Sequence, residues 1–109
     1  MKAELHVHLV FGNGGGVYLM QIRRLEFFPR TGDEFDLGSV LDEREAAVWY
    51  SKYRLEELVP VQVTFEDIDL SRLSSEDAIK ELNEWGERGW LLFDSEDEFH
   101  HLAVNLERV

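Results

Sequence analysis

Residues 4–11, Glu-Leu-His-Val-His-Leu-Val-Phe, alternate along nearly their whole length. Leu5, Val7, Leu9 and Phe11 fall on one side of an extended chain, and Glu4, His6, His8 and Val10 on the other. A period of two does not make an amphipathic helix, whose apolar positions recur at three and four. It makes a half-buried strand, which needs neighbours along its edges and a second layer over its apolar face. This stretch commits the chain to a sheet.

Gly12-Asn13-Gly14-Gly15-Gly16 follows as a flexible turn. Residues 17–28, Val-Tyr-Leu-Met-Gln-Ile-Arg-Arg-Leu-Glu-Phe-Phe, read as the returning strand of a hairpin. Tyr18, Met20 and Ile22 share one face, whereas Leu25 and Phe27 continue on the opposite parity, so a bulge is expected near Arg23-Arg24. The glycine run is no phosphate cradle, because that needs a helix N-terminus behind it, usually with a lysine. A turn at 29–33 and a short strand over 34–37 come next.

Residues 38–59 carry two signals. Asp42 and Glu45 have capping-box spacing, which favours a helix over 43–58. Val48-Trp49-Tyr50-Ser51-Lys52-Tyr53 has strong strand propensity, which favours a strand over 46–55 and a turn at Glu56–Leu58. The strand reading is preferred. Residues 60–67 are a clearer strand, with Val61, Val63 and Phe65 inward.

Ser74 precedes Ser75-Glu76-Asp77 as an N-cap with acids in the first turn. Ala78, Ile79, Leu82 and Trp85 or Gly86 then form an apolar stripe, which predicts a helix over about 75–88 closed by Gly89. Gly86 inside the last turn predicts close approach of the helix backbone to the sheet. Residues 90–93 read as a buried strand, 94–98 as a solvated turn, and 99–109 as a last strand with Leu102, Val104 and Leu106 inward.

The segment Leu82-Asn83-Glu84-Trp85-Gly86-Glu87-Arg88-Gly89-Trp90-Leu91-Leu92 resembles the LNxxGxxGWxL helix-end signature of a small bacterial family of unknown function. The resemblance spans residues 60–109. It implies a strand, a helix carrying the signature and then a hairpin, and it brings no catalytic residue.

The expected fold is α+β: a mostly antiparallel sheet of about five or six strands with one main helix packed on it. Residues 1–109 form one domain, a β-rich hairpin region (1–59) followed by a strand–helix–hairpin region (60–109). The chain has no cysteine, which excludes disulfides, thiolate metal sites and a cysteine nucleophile. It has no apolar run near the roughly 18 residues that span a bilayer. The first residues do not read as a signal peptide, since Glu4, His6 and His8 interrupt them. A cytoplasmic, membrane-independent domain is expected.

Charge is unevenly spread. Residues 56–109 hold 4 basic and 15 acidic side chains, −11 of the formal −12. Such a field repels nucleic acid and attracts basic surfaces. The expected function is that of a non-enzymatic acidic binding protein that contacts a basic protein partner, as an inhibitor or nucleic-acid mimic. Its candidate contacts are Glu76, Asp77, Glu81, Glu84, Glu87, Asp94, Glu96, Asp97 and Glu98. Exposed aromatics are further candidates, because in Phe27-Phe28 and Trp49-Tyr50 one ring of each pair must leave the core face.

The alternative is a small-ligand or metal module on the histidine-bearing strands, catalytic or not, or a structural accessory subunit. His6 and His8 share a strand face about 7 Å apart. If the last strand lies beside the first, His101 joins them as a third imidazole, with Glu4 or Glu98 as a further ligand. His100 faces the other way. The acidic runs lack the spacing of a calcium loop, and the serines lack a nucleophile-elbow context. No cofactor is expected.

Overall fold

The computed structural model describes residues 1–12, 15–37, 46–103 and 105–109, with the side chains of Asp97, Glu98 and His101 outside that description. The helical capping box at Asp42 and the inward Val104 therefore fall outside the described residues.

The alternating segment is β1 (Lys2–Phe11), and its odd positions Ala3, Leu5, Val7, Leu9 and Phe11 are buried. β2 (Gly15–Arg24) returns antiparallel along its full length, from Phe11↔Gly15 to Lys2↔Arg24. Val17 and Leu19 join the apolar face of β1. The expected bulge at Arg23-Arg24 is absent. β2 stops there, and the parity change at Leu25 lies beyond the strand.

β3 (Glu34–Phe35) edges β4 (Ala46–Tyr53), which pairs antiparallel with β5 (Val61–Phe65). The strand reading of 46–55 thus holds. The turn before β3 closes the outer edge of β4: Gly32 N–H donates to Val48 O (2.8 Å) and Thr31 Oγ1 to Trp49 O (3.0 Å). β5 runs parallel to β1, as does β6 (Ile68–Asp69) further along it. β7 (Leu91–Ser95) pairs antiparallel with β2. Among the described residues the sheet has seven strands, in the order β3-β4-β5-β1-β2-β7, with β6 beside β1.

β5 and β7 point the same way, with the β1–β2 hairpin between them. The connection must cross that hairpin, and α1 (Ser75–Glu87) does so. Ser74 Oγ accepts from Asp77 N–H at 3.2 Å as the N-cap. Ala78, Leu82 and Trp85 pack into the core with Leu5, Leu9 and Leu19. At the C-terminus Trp90 N–H donates to Trp85 O (3.1 Å) and Gly89 N–H to Gly86 O (3.0 Å), the Schellman pattern. Gly89 sits at φ +90°, where only glycine is unstrained. Gln21 Nε2 donates to Arg88 O at 2.7 Å, which ties the helix end to β2.

Three expectations need correction here. The buried stripe of α1 runs through Ala78, Glu81, Leu82 and Trp85, so Ile79 faces outward. A Cβ on Gly86 would meet Leu106 Cδ2 at 2.7 Å, so the close approach is to the chain's last segment and not to the sheet. Among its described residues that segment is no strand and closes no hairpin. It forms a 3₁₀ helix, Asp97–Ala103, and then a single parallel bridge, Leu92↔Arg108. Leu102, Ala103 and Leu106 still reach the core. With Phe99 they step by three and four residues, a helical period that the alternation of Leu102, Val104 and Leu106 disguises.

No helix among the described residues is long and apolar enough to cross a membrane.

Candidate functional site

α1 and the 3₁₀ helix cover one face of the sheet. The even residues of β1 point to the other face, where register builds three rows. Glu4 lies level with Ile22 and Gln62, with Lys52 beyond; His6 lies level with Met20 and Thr64, with Tyr50 beyond; His8 lies level with Tyr18, with Asp94 beyond. Directly opposed residues share a face.

Two bulges then reshape this face. On β4 the register shifts between Val48 and Tyr50, opposite Phe65 and Thr64, so Trp49 is an extra residue. On β7 the register shifts between Asp94 and Leu92, opposite Tyr18 and Leu19, so Phe93 is extra. A bulge breaks the alternation and re-aims side chains. Trp49 and Tyr50 both stand on the uncovered face, and Phe93 meets His6 there edge-on at 5.4 Å. The two bulged strands flank β5, β1 and β2, and their aromatics wall a groove of about 440 Å³. Its floor is His6, His8, Gln62 and Thr64.

His8 organises one end. Its Nδ1 lies 3.1 Å from Asp67 Oδ1, and its ring stacks on Tyr18 at 4.1 Å, 3° from parallel. A carboxylate only accepts, so Nδ1 carries the proton toward Asp67. His8 Nε2 is buried without a hydrogen-bond partner among the described residues. Burial pushes the Tyr18 phenol above its ordinary range, and the carboxylates of Glu96, Asp67 and Asp94 push it further. At the other end Glu4 pairs with Arg54, and its second oxygen lies 3.4 Å from His6 Nε2. Along this face the Asp67 end is thus acidic, and the Glu4 end is internally neutralised.

The expected contact acids do not form one surface. Glu76, Asp77 and Glu87 are exposed on α1, in the layer behind the sheet, and Glu84 is half-buried there. Glu81 is a correction: it is 0% exposed and accepts a hydrogen bond from Trp85 Nε1 at 3.0 Å, so it offers nothing to a partner. Asp94 and Glu96 are exposed and border Tyr18. The side chains of Asp97 and Glu98 lie outside the described residues.

The imidazoles also separate. His6 and His8 share the uncovered face, as the alternation requires. The neighbours of β1 are β5 and β2, and His101 belongs to the 3₁₀ helix, so the premise of a last strand beside the first does not hold. His100 Nδ1 lies 2.9 Å from Ser95 Oγ and its Nε2 3.2 Å from Arg108. Among the described residues no group of three or more His, Cys, Asp or Glu could hold a metal ion.

The expectation that one ring of each aromatic pair leaves the core face is met and exceeded, because both rings of each pair are exposed. Trp49 (61%) and Tyr50 lie at a bulge, and Phe27 and Phe28 lie beyond the end of β2. Phe93, expected in the core, is 55% exposed for the same reason as Trp49. Tyr18, Gln62, Thr64 and Asp67 were not singled out by sequence. Gln62 and Thr64 have the outward parity of any solvated strand face. Tyr18 falls on the parity that the sequence reads as the apolar face of β2, whereas the core takes Val17 and Leu19. Asp67 lies between β5 and β6, where alternation gives no signal.

Comparison with protein-family models, curated proteins and solved structures finds no significant match to this chain.

Proposed function

We propose that this chain is a non-enzymatic acidic binding protein that docks on a basic protein partner through the uncovered face of its sheet. The observation that supports this is the exposure of Trp49, Tyr50 and Phe93 on one face, beside the carboxylates of Asp67, Asp94 and Glu96. Clustered exposed aromatics are the usual anchors of protein interfaces. Net acidity of the chain steers a basic partner toward them. Inhibition by imitation of nucleic-acid charge is one form such binding takes.

The test is calorimetric titration with an arginine- and lysine-rich peptide at low and high salt. Binding should weaken with salt, because exposed charge pairs are screened beyond about 10 Å at 0.1 M. Trp49→Ala and Phe93→Ala should weaken it, whereas Glu76→Lys with Glu87→Lys should act only at low salt. Binding that survives both aromatic substitutions and is lost on reversing the helix acids would sink the sheet-face reading.

A second reading is favoured by the groove itself. About 440 Å³ lies within the size range of small-molecule sites. A small-ligand module would depend on His6 and His8, so a ligand affinity that survives His6→Ala and His8→Ala would remove it.

A further inference from the structure

We propose that the acidic end of this groove receives an arginine side chain of the partner, with the guanidinium paired to Asp67 and lying against the indole of Trp49. The proposal rests on the docking face inferred above and names the chemical group it reads.

A guanidinium is planar, weakly hydrated and suited both to stacking on aromatic faces and to pairing with a carboxylate by two parallel hydrogen bonds. The groove offers both kinds of partner on one lining. Asp67 is 67% exposed on the side chain, yet its Oδ1 is held by His8 Nδ1 at 3.1 Å. The carboxylate is therefore oriented and still open to an incoming donor. Tyr18 stacks on the same imidazole at 4.1 Å and so fixes the ring that orients Asp67. On the other side Trp49 and Tyr50 brace one another edge-to-face, with ring centres 5.1 Å apart. His8, backed by Tyr18, is thus a positioning residue that holds the acid in place, and pre-organisation of this kind lowers the cost of binding.

Charge on the face selects the end. Asp94 and Glu96 stand beside Tyr18, which adds negative potential there. Two cations of this face lie toward the other end: Arg54 is taken up by Glu4, and Lys52 lies level with Gln62. Glu4 and His8 are about 13 Å apart along the strand. Another groove, at the foot of α1, has the opposite character, with Arg23, Arg24 and Arg88 on its lining.

The probe is N-acetyl-arginine amide, titrated into the labelled protein and followed by NMR. N-acetyl-citrulline amide, which has nearly the same shape and no charge, is the control. The expected result is a saturable shift of the Trp49 indole, the Tyr18 ring and the Asp67 amide with arginine, and none with citrulline. Asp67→Asn, at an exposed site that leaves the fold intact, should weaken binding about tenfold, as loss of a charge-assisted pair does. Trp49→Ala should weaken it as well. An equal response to citrulline, shifts outside the groove, or indifference to Asp67→Asn would overturn the proposal. If the basic peptide binds while N-acetyl-arginine amide leaves the groove unperturbed, docking stands and the arginine site falls. If neither binds, both fall.

Discussion

The imidazole of His8 lies flat against the ring of Tyr18, 4.1 Å away and 3° from parallel, on directly paired positions of β1 and β2. This stack is where the hairpin register becomes a property of the uncovered face. Burial and the carboxylates of Glu96, Asp67 and Asp94 hold the phenol in its neutral form. In a spectrophotometric titration Tyr18 should ionise above the ordinary tyrosine value of about 10. The native state keeps this proton when the unfolded chain has lost it. Stability is therefore unaffected by this group below pH 10 and falls as pH rises through the native pKa. Asp67→Asn should bring the Tyr18 transition down. An unmoved transition would show that Asp67 does not act on it.

Glu81 should behave as a core residue. Glu81→Gln keeps an acceptor for Trp85 Nε1 and should cost about 1 kcal/mol or less. Glu81→Lys places a cation in a fully buried site and should cost at least about 3 kcal/mol, or prevent folding. Chemical denaturation of both variants checks this. A Glu81→Lys protein as stable as the parent would contradict the burial.

The two glycines at the end of α1 should separate. At Gly89, φ +90° strains any side chain, and a Cβ would meet Gln21 Nε2 at 2.8 Å. Gly89→Ala should cost about 1–2 kcal/mol. At Gly86 a Cβ meets the end of the Leu106 side chain, which can rotate away, and helix propensity favours alanine by about 1 kcal/mol. Gly86→Ala should therefore be close to neutral. Melting curves that rank the two the other way would refute this account.

The three tryptophans should report separately. Trp85 and Trp90 are buried in edge-to-face contact at 5.2 Å, and Trp49 stands in solvent. Trp49→Phe should remove the acrylamide-quenchable emission and change stability by less than about 0.5 kcal/mol. Trp85→Ala should cost about 3–5 kcal/mol. Quenchable emission that persists without Trp49 would place another indole at the surface.

Much of the fold is legible in local pattern. The alternation of Leu5 to Phe11, the inward Val61, Val63 and Phe65, and the Ser74 cap with Gly89 at the other end all specify their elements, because each is a property of a few neighbouring residues. The last segment misleads for the same reason. Its apolar residues satisfy a period of two at Leu102, Val104 and Leu106 and a helical period at Phe99, Leu102, Ala103 and Leu106. Only packing against α1 and β7 decides between them.

The candidate site is a tertiary product. Sequence alone places His6 and His8 on one strand face, counts the acids and shows that Trp49-Tyr50 breaks a simple alternation. It does not say that β4 and β7 are bulged, because a bulge is one residue of mismatch between two strands and exists only once both are paired. Those bulges bring Trp49, Tyr50 and Phe93 to the uncovered face. In the same way, the acidic look of α1 is sequence, whereas the withdrawal of Glu81 from it follows from where the helix meets the sheet. Periodicity is local and survives without partners. Register, bulges and burial are relations between segments distant in sequence, and the packed structure alone decides them.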